Sequence, residues 1–255
     1  MPLTDSPSRG FGALLIRGLL AGLIAGLLAG GFAFVFGEPH IDAAIAIEEA
    51  AADASGDAGH HEEPVVSRDG QKAGLVLATT LFGLAMGGIF ATGYALLRRR
   101  LHTGSDSRAA LQLAGAALLG AVVVPFLKYP PNPPAVGDPA TINQRTWSYL
   151  AALVLGLIAV WAAVLAARTQ RVEWRRAVGA VVGFLVVVAV AYLLLPTIEE
   201  VPETFPATLL WDFRVTSLGV QTVLWTVLGI AFAALVAPRA TPAQPAAQVE
   251  ETAAA

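Results

Sequence analysis

Six stretches of the chain run with almost no strongly polar residue: 11–36, 73–97, 109–127, 147–167, 177–195 and 215–237. Each has about the 17 to 25 residues that a helix needs to cross a hydrocarbon core of roughly 30 Å. Lipid offers the backbone no hydrogen-bond partner, so a spanning segment must satisfy its own amides, and none of the runs shows the polar alternation of a barrel strand. The pattern predicts an all-α polytopic membrane protein, with six transmembrane helices arranged as three helical hairpins. It gives one spanning domain, 11–237, between a tail at 1–10 and a segment at 238–255 whose Pro, Ala, Gln and Thr content predicts disorder. Arg9 and Arg17 ahead of the first run resemble a secretory signal. However, residues 18–36 exceed the roughly 7 to 15 of a usual apolar signal core and no small-x-small cleavage site follows, so the span is expected to be retained.

Composition excludes an ordinary soluble domain. Hydrophobic residues make up 56% and charged residues 14%, against roughly 25% charged in soluble domains, with mean hydropathy +0.65. No cysteine is present, which removes disulfides, thiolate metal sites and thiol nucleophiles.

The charges sort by side. With the N-terminus cytoplasmic, 11 of the 16 Lys and Arg fall on the inner side, among them Arg98, Arg99, Arg100, Arg108, Arg168, Arg171, Arg175 and Arg176. Of the 19 acids, 14 fall outside. The excess of basic residues in short inner loops predicts both termini cytoplasmic.

Gly18, Gly22, Gly26 and Gly30 recur every four residues in the first run, and Gly83 with Gly87, and Gly179 with Gly183, repeat the spacing. Such a face is nearly flat and lets a neighbouring backbone approach, so these glycines are expected to pack helices. Each odd span ends near a proline (Pro39, Pro125, Pro196), and an arginine (Arg68, Arg145, Arg214) precedes each even span. Three two-helix repeats and chance similarity among apolar helices both fit this echo.

Candidate chemistry lies in the outer connections. The first, an acidic and histidine-bearing loop at 38–72, holds Glu38, His40, Asp42, Glu48, Glu49 and Asp53, then His60, His61, Glu62 and Glu63. If 41–54 is helical, Asp42, Glu49 and Asp53 share a face. Imidazole with carboxylate is the ligand set of cobalt, nickel or zinc, whereas Cu(I) prefers sulfur and the only methionines are Met1 and Met86. The candidate metal ligands are Glu38, His40, Asp42, Glu49, His60, His61, Glu62 and Glu63, with Asp138, Glu199, Glu200 and Asp212 as further candidates. A plain solvated acidic loop is the other reading. Residues 125–134, rich in proline, are expected to be extended instead of helical. Lys128, Arg145 and Arg214 are expected either to pair with the outer acids as a structural lid or to leave those acids free for metal.

Gly37-Glu38-Pro39, His60-His61-Glu62-Glu63-Pro64, Pro125-Phe126-Leu127-Lys128-Tyr129-Pro130, Asn132-Pro133-Pro134-Ala135-Val136-Gly137-Asp138-Pro139, Glu199-Glu200-Val201-Pro202, Phe205-Pro206 and Leu210-Trp211 together resemble the CbtA family of predicted cobalt transporter subunits. The resemblance covers roughly 10–237. It implies a multi-pass protein of the bacterial cytoplasmic (inner) membrane that serves cobalt uptake for cobalamin biosynthesis, acting with a small single-span, histidine-containing partner of the CbtB type. Cobalt, with nickel as the alternative, is then substrate, and no tightly bound cofactor is implied. Membrane lipid and further copies of the chain are the other expected partners, and nucleic acid is not one.

Physics bounds the mechanism. No G-x-x-x-x-G-K-[ST] loop exists, so ATP hydrolysis would belong to another protein. No Asp, Glu, Lys, Arg or His sits deep in a span, which leaves Thr79, Thr80, Gln112, Thr216, Gln221, Thr222 and backbone carbonyls to line any path. The outer carboxylates lack a nucleophile or cofactor motif, so an enzyme is not expected. A scaffold that holds a partner without conducting metal is the alternative function.

Overall fold

In the computed structural model, which describes residues 10–55, 66–100, 103–134 and 136–237, every regular element is helical. The elements are α1 (Phe11–Phe32), α2 (Glu38–Ser55), α3 (Arg68–Leu97), α4 (Asp106–Ala117), α5 (Val124–Lys128), α6 (Ile142–Arg168), α7 (Glu173–Leu194) and α8 (Ala207–Val236). Wide π-helical turns at Ala33–Gly37 and Leu118–Val123 join α1 to α2 and α4 to α5. Six continuous helical segments are long and apolar enough to cross a membrane: Phe11–Ala54, Arg68–Leu97, Asp106–Lys128, Pro139–Arg168, Glu173–Leu194 and Ala207–Val236. The tails at 1–9 and 238–255 lie outside the described residues.

The two π turns have one cause. Each ends just before a proline, Pro39 or Pro125, which has no N–H to give the ordinary i−4 carbonyl. The preceding residues donate one position further back, Glu38 N–H to the Ala33 carbonyl and Val124 N–H to the Leu119 carbonyl. Proline therefore widens these helices without ending them, a known use of the π-bulge. This corrects the expectation for 125–134: Pro125 to Lys128 are helical, and the extended chain begins only after Tyr129. At Pro196 the device is absent, because α7 has already ended at Leu194.

Packing starts at the glycines. Along α1, Gly18, Gly22, Gly26 and Gly30 are buried, and a Cβ added at Gly22 would overlap the Gly83 carbonyl oxygen of α3. At Gly26 it would sit 2.8 Å from the Thr79 carbonyl oxygen. In lipid, where burying apolar surface against apolar surface gains little, such close van der Waals contact is a main source of helix association. Gly183 packs likewise on Ala162 and Ala166 of α6. A second seam that the four-residue spacing does not reveal joins Gly120, in the π turn, to Gly156 of α6.

The hairpin order holds for connectivity, while packing follows its own scheme. The helices form an arc: α3 on α1, α1 on α8, α8 on α4, the turn after α4 on α6, and α6 on α7. Spans five and six are consecutive, yet α8 packs between α1 and α4 while α7 packs chiefly on α6. At the end bearing the arginine-rich connections the arc is filled. Phe90 and Tyr94 of α3 meet Phe232 of α8 edge-on at 5.2 and 5.0 Å, with Leu14, Leu224 and Leu228 around them. Arg98 pairs with Asp106 at 2.9 Å, and the Ser107 hydroxyl donates to the Ala233 carbonyl.

Replacing Gly22 with Val should overpack the α1–α3 seam, at a cost of about 1–3 kcal/mol or more. A detergent-purified variant should melt at least about 5 °C lower, whereas Gly31→Val, at a position with nothing within 4 Å, should melt like the parent.

Candidate functional site

At the opposite end the three connections carrying the prolines and most acids form one cap. The helix α2 continues out of α1, driven by its alanines and by Glu38 in its first turn. Its Ala44 is fully buried against Val136 and Phe205, from the other two connections, with Ile47, Leu209 and Leu210 alongside. The Tyr129 hydroxyl donates to the Pro196 carbonyl at 2.6 Å, and Arg214 donates to the Pro131 carbonyl and to Asn132 Oδ1 at 3.3 and 2.8 Å. Gly137 turns the chain there at φ 149°, a backbone that L side chains rarely adopt, and the Arg145 guanidinium fills the space a side chain would need.

Several sequence candidates are held in ion pairs. Glu38, buried, accepts from Arg68 Nη2, and Asp42 accepts from Arg68 Nε at 2.8 Å and from Lys72 Nζ at 3.0 Å. Glu38 and Asp42 lie four residues apart on one helix face, so a single guanidinium spans both. Glu200, its side chain 2% exposed, accepts from Arg145 Nη1 at 2.6 Å and from the Thr141 hydroxyl. Burial raises its carboxyl, but the bonds from Thr141 and Arg145 outweigh burial and hold it below the ordinary value of 4.5. Asp138 caps the short turn that leads into α6, accepting from Ala140 N at 2.8 Å.

The remaining candidates are distributed differently. His40 is half-buried on α2, and Glu49 and Asp53 are exposed further along it, as the helical reading of that segment required. Asp212 is exposed on α8, and Glu199 is exposed at the rim of a cavity described below. His60, His61, Glu62 and Glu63 lie outside the described residues. Among the described residues no three His, Asp or Glu side chains are placed to hold a metal ion.

What residue patterns did not reveal is a cavity of about 1120 Å³ beneath the cap. Its walls come from α3, the second connection, α6 and α8, and it reaches from Lys128, Asn132, Glu199 and Glu200 down to Met86, Ser217, Gln221 and Trp225. A smaller cavity of about 420 Å³ adjoins it at Gln221 and contains Thr79. Of the polar residues expected to line a path, Gln221 faces both cavities. Thr79, Thr80 and Thr222 spend their hydroxyls on the carbonyls four residues back, and Gln112 is exposed on α4. The lining carries Lys128, Arg145 and Arg214 against Glu199 and Glu200, an excess of one positive charge.

Comparison with known proteins gives one result. The family model described as "Probable cobalt transporter subunit (CbtA)" matches residues 11–237. No curated protein and no solved structure matches.

Because Glu200 titrates lower in the folded protein than its ordinary value, its ion pair stabilises the cap fully above about pH 4.5 and is lost as pH falls through the folded pKa. A Glu200→Gln variant should therefore melt below the parent at pH 7, and the gap should narrow steadily as the pH is lowered below about 4.5. A gap independent of pH would show that the charge on Glu200 does not hold the cap.

Proposed function

This chain belongs to the CbtA family of probable cobalt transporter subunits, and on that premise we propose that it captures a divalent metal outside the bacterial inner membrane and helps it cross. The family match over 11–237 is the observation that carries the reading. Under it the end bearing the prolines and acids faces outward, as the positive-inside rule requires of a chain with arginine-rich connections at the other end.

Capture is assigned to the first connection, with His60, His61, Glu62 and Glu63 exchanging water on the ion for imidazole and carboxylate. His40 and Glu49 are the adjoining donors on α2. Glu38 and Asp42 would have to release Arg68 before binding metal, so in this reading they act first as the clamp that fixes α2 over the cap. Glu199, at the rim of the cavity and outside any ion pair among the described residues, is the best placed relay from the loop to the cavity. Asp138, Glu200 and Asp212 serve the cap or its surface and are secondary donors.

The crossing needs no nucleotide. An inside-negative potential supplies about 2.3 kcal/mol per charge per 100 mV, hence about 7 kcal/mol for a divalent ion at roughly 150 mV, near a 10⁵-fold accumulation. Ser217 and Gln221 offer neutral oxygen donors at the cavity floor. Beyond them the packed Phe90, Tyr94 and Phe232 close the inner end, so passage requires that cluster to part or a partner helix to complete the route. The small single-span, histidine-containing partner of the CbtB type fits that role, and the cobalt serves cobalamin synthesis. Nickel would satisfy the same ligands.

The alternative is an accessory protein that assembles with the partner and leaves conduction to it. Its support is the number of outer acids already spent on structural pairs.

Ala at both His60 and His61 should lower cobalt accumulation at limiting metal by about tenfold, the usual order for losing metal ligation or its support. Unchanged accumulation would take the loop out of the mechanism. Liposomes holding this chain alone, the small partner alone, or both separate conduction from scaffolding: metal entry with this chain alone supports conduction by it, and entry only where the partner is present would favour the accessory reading.

A further inference from the structure

The cavity beneath the cap has room for more than a passing cation, and its lining suits an anionic lipid. Its volume, about 1120 Å³, exceeds what a small ion with its water requires, and lies just above the usual range of pockets for organic ligands. Its deep walls are apolar, with Phe82 and Met86 from α3, Leu150 and Leu153 from α6, and Trp225 from α8. Near its top stand two cations with no carboxylate partner among the described residues. Lys128 donates only to the Tyr192 carbonyl at 3.2 Å, at the end of α7, where a cation also meets the negative pole of that helix. Arg214 has five N–H donors, and its bonds to Pro131 and Asn132 leave most of them free. Arg145, the third cation, is neutralised by Glu200.

The heights of these groups match a phospholipid. Arg214 follows Trp211 and Phe213 in the first two turns of α8, and Lys128 ends α5, so both cations sit where a span meets the headgroup layer. The apolar walls lie one to three helical turns deeper, at acyl-chain level. A side opening is available as well, because α3 and α6 flank the cavity without packing extensively on each other.

We propose that this cavity binds one anionic phospholipid from the surrounding leaflet, its phosphate on Arg214 and Lys128 and an acyl chain between α3, α6 and α8. The site stands independently of metal transport. One consequence rests on the transport reading: a bound phosphate offsets the excess positive charge of the lining, so a divalent ion passing Glu199 is no longer repelled.

The test is native mass spectrometry of the full chain in mild detergent, titrated with phosphatidylglycerol or phosphatidylcholine. A surface Lys or Arg contributes about 1 kcal/mol toward an anionic lipid, roughly fivefold in affinity. The parent should retain one phosphatidylglycerol at least about tenfold more tightly than phosphatidylcholine. Arg214→Gln with Lys128→Gln should abolish the preference, while Arg175→Gln, at the other end of the protein, should keep it. Because Arg214 also ties the second connection, Leu153→Trp is the companion variant: it fills the deep cavity, leaves both cations in place and should still lose the tightly held lipid. Equal retention of both lipids, or a preference that survives both cavity variants, overturns the proposal. So does selective binding of a soluble carboxylate such as citrate in place of lipid, or occupation of the cavity by a second polypeptide that lipid cannot displace. Cobalt uptake is read separately, so absence of uptake by the parent with lipid retention intact would count against the metal reading alone.

Discussion

The backbones of α1 and α3 touch, and nothing larger than a hydrogen fits between them at Gly18, Gly22, Gly83 or Gly87. Within a bilayer this contact does what a hydrophobic core does in water, since lipid chains solvate leucine as well as another helix does. It fixes α3 to one side of α1 and leaves the adjoining side for α8, so the first, second and last spans form a unit on which the middle spans are placed. Aromatic rings fill the arginine-rich end of that unit, where Phe90, Tyr94 and Phe232 interlock. At the other end α3 and α6 do not pack extensively on each other, and the large cavity lies between them.

A cavity open on that side would expose backbone at the cap, and the connections meet that demand with charge. Arg68, Arg145 and Arg214 each lie at or near the start of an even-numbered span: Arg68 donates within its own connection to Glu38 and Asp42, Arg145 to Glu200 of the third, and Arg214 to Pro131 and Asn132 of the second. The first two are ion pairs that fix helix ends, and the third uses neutral acceptors only. That difference leaves positive charge facing the cavity, and it decides which ligands the cavity can hold. In the proposed reading, a protein that passes divalent cations would keep its acids at the surface and rim and take up an anion below.

Much of this was legible in the residues, for stated reasons. The six spans follow from hydrophobicity because the bilayer admits no other backbone solution, and the α1–α3 seam follows from glycines four apart. Pairing of the outer cations with acids was open as one of two outcomes, and which acid each takes depends on connections distant in sequence. The Gly120–Gly156 contact was hidden because neither glycine has another three or four residues away, and Gly120 gains meaning only when the π turn presents it. Pro125 misled because proline is read as a helix breaker, while a π turn removes the need for the missing N–H. The cavity had no sequence signal, since it reflects helices that do not pack extensively on each other. For the first connection, a helix carrying Asp42, Glu49 and Asp53 was legible, while its histidine cluster lies outside the described residues.

In the proposed reading, an outer set of imidazoles and carboxylates, the cavity beneath the cap and the membrane potential would together make one route for a divalent ion. The central claim is that this chain is needed for the metal to enter. The most direct measurement is cobalt accumulation in cells that lack other cobalt importers, with and without this gene, at limiting external metal. Accumulation should depend on the gene and fall when the membrane potential is collapsed. Equal cobalt content in both strains would contradict the claim.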